Sequence, residues 1–390
     1  MVVVELHVRA ETKLNERRTP LTPLNAKKLL DSGLFRIFVE RSPDRAFPDG
    51  DYEEAGCTLV EAGSWREAPL SRLIFGVKEL PEGDDSPLPH RHIYFAHCFK
   101  NQTGWRDVLA RFVKGSGLLL DLEFLVDDKG RRVAAFGRAA GLAGCAVGLL
   151  AWAHQQLHGE EPMKALQPAS SIEALAETVG NALQAAEKVA GKRPRVMIMG
   201  AKGRCGGGAI YFLDQVKNYI GERVLWDMEE TAAGGPFPQI LQCDIFVNCI
   251  YLMGKIPPFL TMDLIQQEEE KGTRQLSVVV DVSCDYTNPN NPLPIYNDQT
   301  TLVEPILRVL PSKGASSSSS SSPLLDVVAI DHLPTLVPKE SSINFSDDLL
   351  SSLLALPHWV EKGREAEDPM AAVWERAAEL FAKKVAELSS

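Results

Sequence analysis

A lysine and a histidine that could transfer protons each follow a short apolar segment near the start of the chain. Lys78 comes after Leu73–Val77, and His97 comes after Ile93–Ala96. If both segments are strands of one parallel sheet, the two side chains lie at its carboxyl edge, where α/β proteins bind ligands. A partly desolvated lysine and a histidine can act there as base and acid near neutral pH. We therefore identify Lys78 and His97 as candidate catalytic residues, with a surface lysine and a structural histidine as the alternatives.

Several arginines flank the same segments. Arg9, Arg17 and Arg18 follow the first apolar segment of the chain, and Arg131 and Arg132 precede Phe136. Guanidinium groups bind carboxylates through two parallel hydrogen bonds. The pattern indicates a substrate with several carboxylates, although each arginine taken alone could be an ordinary surface charge.

A glycine-rich segment is the strongest motif for cofactor binding. The apolar run Val196–Met199 leads into Gly200, Gly203 and Gly206, and a helix is expected from about Ala209. Such a turn lets a pyrophosphate approach backbone N–H groups at the start of a helix. The GxxGxxG spacing differs from the commoner GxGxxG, so the motif is only moderately specific.

An acidic residue completes the dinucleotide pattern. The next predicted strand ends at Asp227, about 20 residues after Gly206, where a carboxylate accepts hydrogen bonds from a ribose diol. The same charge repels a 2′-phosphate, which favours NAD over NADP. Arg204 could lie over the pyrophosphate or be a solvated arginine. A glycine-rich surface turn followed by a surface aspartate is the alternative for the whole motif.

The cysteines suggest a reducing compartment and one candidate pair. The chain has seven cysteines and no CxxC motif, which is typical of an intracellular protein. Cys205 lies in the phosphate turn, and Cys249 ends a later predicted strand. Both could reach the same edge of one sheet and form a disulfide. Two separate buried thiols are the equally open alternative.

The apolar segments alternate with helical stretches, which predicts α/β architecture with two Rossmann-like domains, parallel sheets flanked by helices, and a cleft between the domains. Thr22 and Pro23 open an early helix, and Asp368 opens the last one. Ala139–Leu157 reads as a long helix of small residues, and Ser170 to Glu173 as a capping box. The strands are expected at Val2–Val8, Arg36–Val39, Leu73–Val77, Ile93–Ala96, Leu118–Leu120, Arg195–Met199, Arg223–Trp226, Asp244–Asn248, Val278–Val282 and Asp326–Ile330.

These elements predict two domains. Residues 1–136 with 345–390 form the expected substrate and catalytic domain, and residues 137–344 form the expected NAD-binding domain. The second contains a serine-rich segment at 312–322, which we expect to be a disordered loop because it has little apolar area to bury.

Composition excludes several classes of partner. With 41 Lys+Arg against 52 Asp+Glu the net charge is −11, which argues against nucleic acid or an anionic membrane as the main partner. The start of the chain lacks the pattern of a signal peptide, so we expect a cytoplasmic protein. His90, His92 and His97 could suggest a metal site, but no spacing of carboxylates or cysteines completes a ligand set, and we expect no metal.

Beyond these single features, the chain contains a set of short motifs: Glu11-Thr12-Lys13, Arg18, Leu21-Thr22-Pro23, Gly63-Ser64-Trp65, Gly76-Val77-Lys78-Glu79, Phe95-Ala96-His97-Cys98, Gly130–Gly137, Asp281-Val282-Ser283, Thr287-Asn288-Pro289 and Ile330–Pro334. Together these motifs closely resemble the fungal NAD-dependent, L-lysine-forming saccharopine dehydrogenases, over nearly the whole chain. The resemblance implies a monomer with two Rossmann-like domains, related to alanine dehydrogenase. It also implies the last step of lysine synthesis through α-aminoadipate, in which saccharopine, NAD and water give L-lysine, 2-oxoglutarate and NADH.

The resemblance also assigns roles to residues of this chain. It implies that Lys78 is the general base and His97 the general acid. The implied substrate-binding residues are Arg18, Gln102, Arg132, Phe136, Ser283, Cys284 and Asp285. The implied cofactor-binding residues are Arg131, Gly203, Arg204, Asp227, Thr231, Tyr251, Val282, Ile330, Asp331, His332 and Leu333, together with Gly200 from the turn.

Two other functions remain as alternatives. An alanine-dehydrogenase-like amino-acid dehydrogenase would share the cofactor site and the Lys78 and His97 pair but would need fewer arginines. A non-catalytic NAD-sensing module would keep the glycine turn and Asp227 without needing that pair.

Overall fold

The structure is a computed structural model that describes residues 2–13, 15–81, 83–100, 102–252, 254–284, 286–312, 322–365 and 368–388. Asp285, predicted to bind substrate, lies outside these ranges. So do residues 313–321, which make up most of the predicted serine-rich loop.

The chain divides into two compact units. The first unit consists of Met1–Phe136 and Pro338–Ser390, and the second unit is Gly137–Val337. The chain leaves the first unit after Phe136, at the boundary expected from the sequence. It returns at Pro338 rather than at residue 345, because the helix that begins at Pro338 lies wholly within the first unit.

The strands and helices of the described residues are numbered in chain order. The strands are β1 Val4–Val8, β2 Phe35–Glu40, β3 Thr58–Val60, β4 Leu73–Phe75, β5 Arg91–Tyr94, β6 Leu118–Asp121, β7 Arg195–Met199, β8 Glu222–Trp226, β9 Ile245–Asn248, β10 Val278–Asp281, β11 Leu307–Leu310 and β12 Leu325–Val328. The helices are α1 Pro23–Asp31, α2 Asp49–Glu54, α3 Trp105–Gly115, α4 Gly137–His158, α5 Ile172–Ala190, α6 Arg204–Gln215, α7 Met228–Thr231, α8 Met262–Glu270, α9 Pro338–Lys362 and α10 Ala372–Ala386.

The first unit contains a six-stranded sheet in the order β3-β2-β1-β4-β5-β6, with all neighbours parallel. The strand order changes direction between β1 and β4, so the loops that follow these strands diverge and leave room for a ligand. Most of the strand residues are buried, as expected when helices cover both faces of a parallel sheet.

The second unit contains a six-stranded sheet in the order β11-β12-β10-β9-β7-β8. Its neighbours are parallel except β11, which pairs antiparallel with β12 at the edge. Here the order changes direction between β7 and β9, and the glycine-rich turn follows β7 directly.

Helix α4 packs unusually close to its neighbours because of its small residues. A Cβ added at Gly141 would lie 1.8 Å from the backbone oxygen of Cys205 in α6, and one at Gly148 would lie 2.5 Å from Val280. The contact fixes the start of α6 against α4, which supports the glycine-rich turn. Although α4 is apolar around most of its circumference, no helix in the described part of the chain is both long and apolar enough to cross a bilayer.

Helix ends follow their capping residues, with two differences from the sequence prediction. Thr22 caps α1 and accepts a hydrogen bond from the Asn25 N–H. At α5 the cap is Ser171, which accepts from the Ala174 N–H, so the predicted box from Ser170 to Glu173 was wrong by one residue. The last helix begins at Ala372 rather than at Asp368, because Asp368 lies in a turn whose carbonyl accepts the N–H groups of residues 371 and 372.

Candidate active site

Lys78 and His97 follow the neighbouring parallel strands β4 and β5, as predicted, and both are half-buried. His97 has a left-handed backbone conformation with φ of 51°, which turns the chain sharply at this point. Its Nε2 atom lies 3.7 Å from Glu79 Oε1. The structure therefore brings Lys78 and His97 to one edge of the sheet. Glu79 follows Lys78 in the chain and lies close to His97 in space.

Glu79 is ionised between these groups. Burial opposes its ionisation, but Lys78, followed by His97, a backbone hydrogen bond and Lys13, outweighs burial and leaves the pKa of Glu79 lowered. No role for Glu79 was predicted from the sequence, although its position next to Lys78 after a strand was a usable signal.

A second carboxylate, Glu123, gathers the cations that follow β5 and β6. Its Oε1 accepts from Lys100 Nζ at 2.7 Å and from Arg132 Nη2 at 2.8 Å. Burial opposes the ionisation of Glu123, but Lys100, Arg132 and His97 outweigh burial, and the net effect is a lowered pKa. Gln102 lies beside this group, since its Oε1 accepts the Lys100 N–H at 2.8 Å.

Arg18 is buried and is held by the Glu16 carboxylate and the Phe136 ring. Its Nε and Nη2 donate to the two oxygens of Glu16 at 2.8 and 2.6 Å, and its guanidinium carbon lies 4.3 Å from the centre of the Phe136 ring. Phe136 stacks on Phe345, with 4.5 Å between ring centres. Burial opposes ionisation of Glu16, but Arg18 and the nearby Lys78 leave its pKa lowered. Arg18 and Phe136 are thus brought together, in the neighbourhood of Lys78.

The other predicted arginines are distributed differently. Arg9 is buried, with Nη1 3.3 Å from Glu11, and Arg17 is exposed. Arg131 is exposed and pairs with Asp127 at 2.8 Å. Most arginines of the predicted cluster therefore have a carboxylate partner close in sequence, which the sequence analysis did not consider.

His90 and His92 lie in a buried aromatic cluster of the first unit. The Nε2 atom of His90 is 2.8 Å from the Ala68 oxygen, and the ring of His92 packs edge-on against Trp65 and Phe112. Burial lowers the pKa of His92 well below its ordinary value, so this ring is neutral at physiological pH.

In the second unit, the glycine-rich turn fits a dinucleotide. Gly200 has φ of 89°, and Gly203 is the residue that precedes α6. A Cβ at Gly206 would lie 2.1 Å from the Gly200 oxygen, whereas one at Gly207 would meet nothing within 4 Å. The backbone is therefore as tight as a pyrophosphate-binding turn requires, and the N-terminus of α6 favours an anion. Arg204 is the first residue of that helix.

Asp227 directly follows β8, as predicted. Its Oδ2 accepts the Lys202 N–H at 2.7 Å and its Oδ1 accepts the Met228 N–H at 2.9 Å. These two backbone hydrogen bonds lower the pKa of Asp227. The carboxylate is thus charged and linked to the glycine-rich turn. Thr231 ends α7 nearby and donates to the Asp227 carbonyl at 2.9 Å.

The remaining candidate residues of this unit follow the carboxyl ends of β9, β10 and β12. Ser283 donates to Asp281 at 2.6 Å, and the Cys284 thiol lies 3.0 Å from the Ala329 oxygen. Ile330 and Leu333 are buried in the core, so they can offer a ligand little besides backbone groups. Also after these strand ends are Tyr251, which is exposed, and Val282, Asp331 and His332. Arg131 belongs to the first unit, unlike the other cofactor candidates.

Cys205 and Cys249 are both free thiols at the glycine-rich end of this sheet. Burial raises the pKa of each, and the negative charge of a Cys205 thiolate raises the pKa of Cys249 further. The two are close enough to interact electrostatically, and their predicted pairing remains a prediction.

Comparisons with known proteins establish the family. A model of the alanine dehydrogenase/PNT N-terminal domain matches residues 7–143. The NAD(+)-dependent, L-lysine-forming saccharopine dehydrogenase of Schizosaccharomyces pombe is 48% identical over 389 residues, which cover 100% of both chains. The enzyme of that name from Yarrowia lipolytica is 49% identical over 98% of each chain. The chain belongs to this saccharopine dehydrogenase family. The predicted family is therefore confirmed.

Solved structures support the fold class predicted for this saccharopine dehydrogenase family member. An L-alanine dehydrogenase has a TM-score of 0.62 at 15% identity and covers 98% of this chain and 100% of its own. A transhydrogenase from Sinorhizobium meliloti has a TM-score of 0.58, also at 15% identity, over 95% of this chain and 97% of its own. At this identity the likeness concerns the fold alone. The prediction of Rossmann-like domains with parallel sheets is confirmed.

Proposed function

We propose that this chain oxidises saccharopine with NAD and water to L-lysine, 2-oxoglutarate and NADH, with Lys78 as general base and His97 as general acid. Family membership supports the reaction and the cofactor. The observation that supports the residue roles is the placement of Lys78 and His97 after adjacent strands, around the ionised Glu79.

The proton transfers follow from the chemistry of a secondary amine. Saccharopine must lose a proton from its nitrogen before the neighbouring carbon can release hydride, and Lys78 accepts that proton. NAD supplies the hydride acceptor when it is bound. Loss of hydride from the glutarate-side carbon leaves an imine. Water adds to this imine while His97 exchanges protons, and the C–N bond then breaks to release 2-oxoglutarate and lysine.

The carboxylates of the substrate require cations held in fixed orientations. Arg18 and Arg132 serve this role in our proposal, with Gln102 and Phe136 beside them. Glu16 and Glu123 hold the two guanidinium groups. Ser283, Cys284 and Asp285 are the other members of the proposed substrate-binding set.

NAD binding is assigned to the turn after β7 and to Asp227. The tight contact of Gly206 with Gly200 and the charged Asp227 carboxylate support a pyrophosphate and a ribose diol, respectively. The full proposed set is Arg131, Gly200, Gly203, Arg204, Asp227, Thr231, Tyr251, Val282, Ile330, Asp331, His332 and Leu333.

We also infer that the first unit is the substrate and catalytic domain and that the second unit binds NAD. The enzyme is proposed to work as a cytoplasmic monomer, with neither nucleic acid nor membrane as a partner. The net charge of −11 supports the last point.

A substrate comparison tests this function. Purified protein should form NADH with saccharopine and NAD, and 2-oxoglutarate should appear in equal amount when it is trapped by a coupled enzyme. L-Alanine should give no NADH under the same conditions. NADH formation from alanine but not from saccharopine would instead establish the alanine-dehydrogenase-like alternative.

A further inference from the structure

A buried ion pair holds both the backbone N–H and the backbone carbonyl of Lys78. The two oxygens of Glu11 accept the backbone N–H groups of Val77 and Lys78, at 2.6 and 2.9 Å. The guanidinium of Arg9 donates to the backbone oxygen of Lys78 through Nη2, and its Nη1 lies 3.3 Å from Glu11 Oε2. Donor and acceptor groups of one residue are thus both bound by a single pair that follows β1.

The Arg9–Glu11 pair provides hydrogen bonds to the chain beyond the point where pairing between β1 and β4 ends. β4 ends at Phe75, whose oxygen still accepts the Arg9 N–H at 2.9 Å. The Gly76 N–H still donates to Ile93 of β5 at 3.0 Å, but the N–H groups of Val77 and Lys78 donate to the Glu11 carboxylate instead of to a neighbouring strand. The side chains that follow β1 therefore set the path of the Lys78 segment across the point where the strand order reverses.

The segment has the sequence that this arrangement requires. A Cβ at Gly76 would lie 2.3 Å from Arg9 Nε, so the guanidinium occupies the space that a larger residue would need. Arg9 and Glu11 are almost completely buried, with 1% and 6% of their side chains exposed. Burial raises the pKa of Glu11, while Arg9 and the two backbone hydrogen bonds favour its charged form.

Stability alone does not explain such a pair. Two charges taken out of water lose their hydration, and apolar residues of similar size often stabilise a fold equally well. Apolar residues could not accept the N–H groups of Val77 and Lys78, and they could not donate a hydrogen bond to the Lys78 carbonyl. The geometry points to Arg9 and Glu11 as positioning residues. They fix the backbone of Lys78 so that its side-chain amine meets the substrate amine. This inference rests on the proposed role of Lys78 as base.

The test is a double-mutant cycle between Glu11→Gln and Lys78→Met. The glutamine presents an NH₂ group to one of the two N–H donors, so kcat with saccharopine should fall roughly 10- to 100-fold through misplacement of the amine. In the Lys78→Met background the same change should alter kcat less than twofold, because no amine is left to position. Arg9→Lys keeps the positive charge beside Glu11 but loses the guanidinium group that contacts Glu11 and the Lys78 carbonyl together. We expect a smaller decrease in kcat for this variant than for Glu11→Gln.

Asp244→Asn is the matched control. Asp244 is also buried, pairs with a cation, Lys192, at 2.5 Å and accepts a backbone N–H, that of Arg195 at 2.8 Å, but it lies in the second unit, whereas the Lys78 segment belongs to the first. Its effect on kcat should be the same factor with and without Lys78.

Hydrogen exchange of the peptide spanning residues 73–80 gives a readout that does not depend on activity. Glu11→Gln should speed exchange there, and Asp244→Asn should not. Unchanged exchange, or an equal loss of kcat in both Lys78 backgrounds, would overturn the positioning role while leaving the proposed function intact. A wild-type protein that forms no NADH from saccharopine would refute the proposed function, and the catalytic part of this inference with it.

Discussion

Charged side chains of the first unit work in compensated pairs. Arg18 is matched by Glu16, Arg132 by Glu123 and Arg9 by Glu11. Each pair fixes a guanidinium in a definite orientation. The Arg18–Glu16 and Arg9–Glu11 pairs are buried, so removal of one member leaves the other uncompensated in a poorly solvated place. A substrate carboxylate that binds such an arginine meets a donor already oriented, which lowers the entropy cost of binding.

Replacement of Arg18 by glutamine should affect both binding and stability. The Michaelis constant for saccharopine should rise at least 10-fold, since a charge-assisted contact is lost. The free energy of unfolding should fall by about 3 kcal/mol because Glu16 is left buried without its partner. In Arg18→Gln/Glu16→Gln, chemical denaturation should show most of the stability restored, whereas the Michaelis constant should remain high. Recovery of both together would mean that Arg18 has only a structural role.

At the scale of elements, strand ends could be predicted and long-range partners could not. Lys78, His97 and Asp227 lie after strands as expected, because an apolar run followed by a polar residue marks the carboxyl edge of a parallel sheet. Glu123 depends on where the loops after β5 and β6 meet, which no local pattern specifies. The edge strand β11 was missed because all four of its residues are only partly buried.

Helix α9 shows the same limit. It faces α1 with serines rather than an apolar stripe: Ser342 Oγ accepts the Thr19 N–H at 2.9 Å, and Ser346 Oγ accepts from Asn25 Nδ2 at 2.9 Å. Hydrophobic periodicity does not reveal such a face, and Pro357 within the helix adds a misleading break signal. The domain boundary predicted at residues 344 and 345 therefore fell inside α9.

The glycine turn allows a test with an internal control. Gly206→Ala should weaken NAD binding at least 10-fold, because its Cβ would lie 2.1 Å from the Gly200 oxygen and the turn must open. Gly207→Ala should leave NAD affinity within twofold, since a Cβ there meets nothing within 4 Å. Titration of NAD by calorimetry measures both. Equal affinities in the two variants would show that the tight turn does not hold the dinucleotide.

At the scale of the whole molecule, one buried carboxyl should shape the pH dependence of stability. Asp121 ends β6 and accepts the N–H groups of Ala96 and Glu123 at 3.3 and 2.8 Å. Burial raises its pKa to about 7, above the value of about 3.9 expected in the unfolded chain. Below pH 4 the carboxyl is neutral in both states, and its stabilising contribution is complete. As the pH rises from about 4 through 7, that contribution is progressively lost, because the unfolded chain ionises this carboxyl while the native state must keep it neutral or hold a buried charge.

The corresponding prediction compares wild type with Asp121→Asn. From pH 4 to pH 8 the unfolding free energy of the wild type should fall by about 4 kcal/mol relative to the variant. Urea denaturation at several pH values measures this difference. Asp31→Asn, a change at an exposed residue of α1, should follow the wild type much more closely. A constant difference between wild type and Asp121→Asn across this range would show that Asp121 keeps an ordinary pKa.

The most direct test of the account is the turnover of Lys78→Met with saturating saccharopine and NAD. A base in this position contributes about 10²- to 10⁴-fold to the rate, so kcat should fall by at least 10²-fold while the dissociation constant for NAD stays within twofold. Lys27→Met, which removes an exposed lysine paired with Asp31 in α1, should keep wild-type turnover. A Lys78→Met enzyme that turns over saccharopine at the wild-type rate would contradict the proposed mechanism.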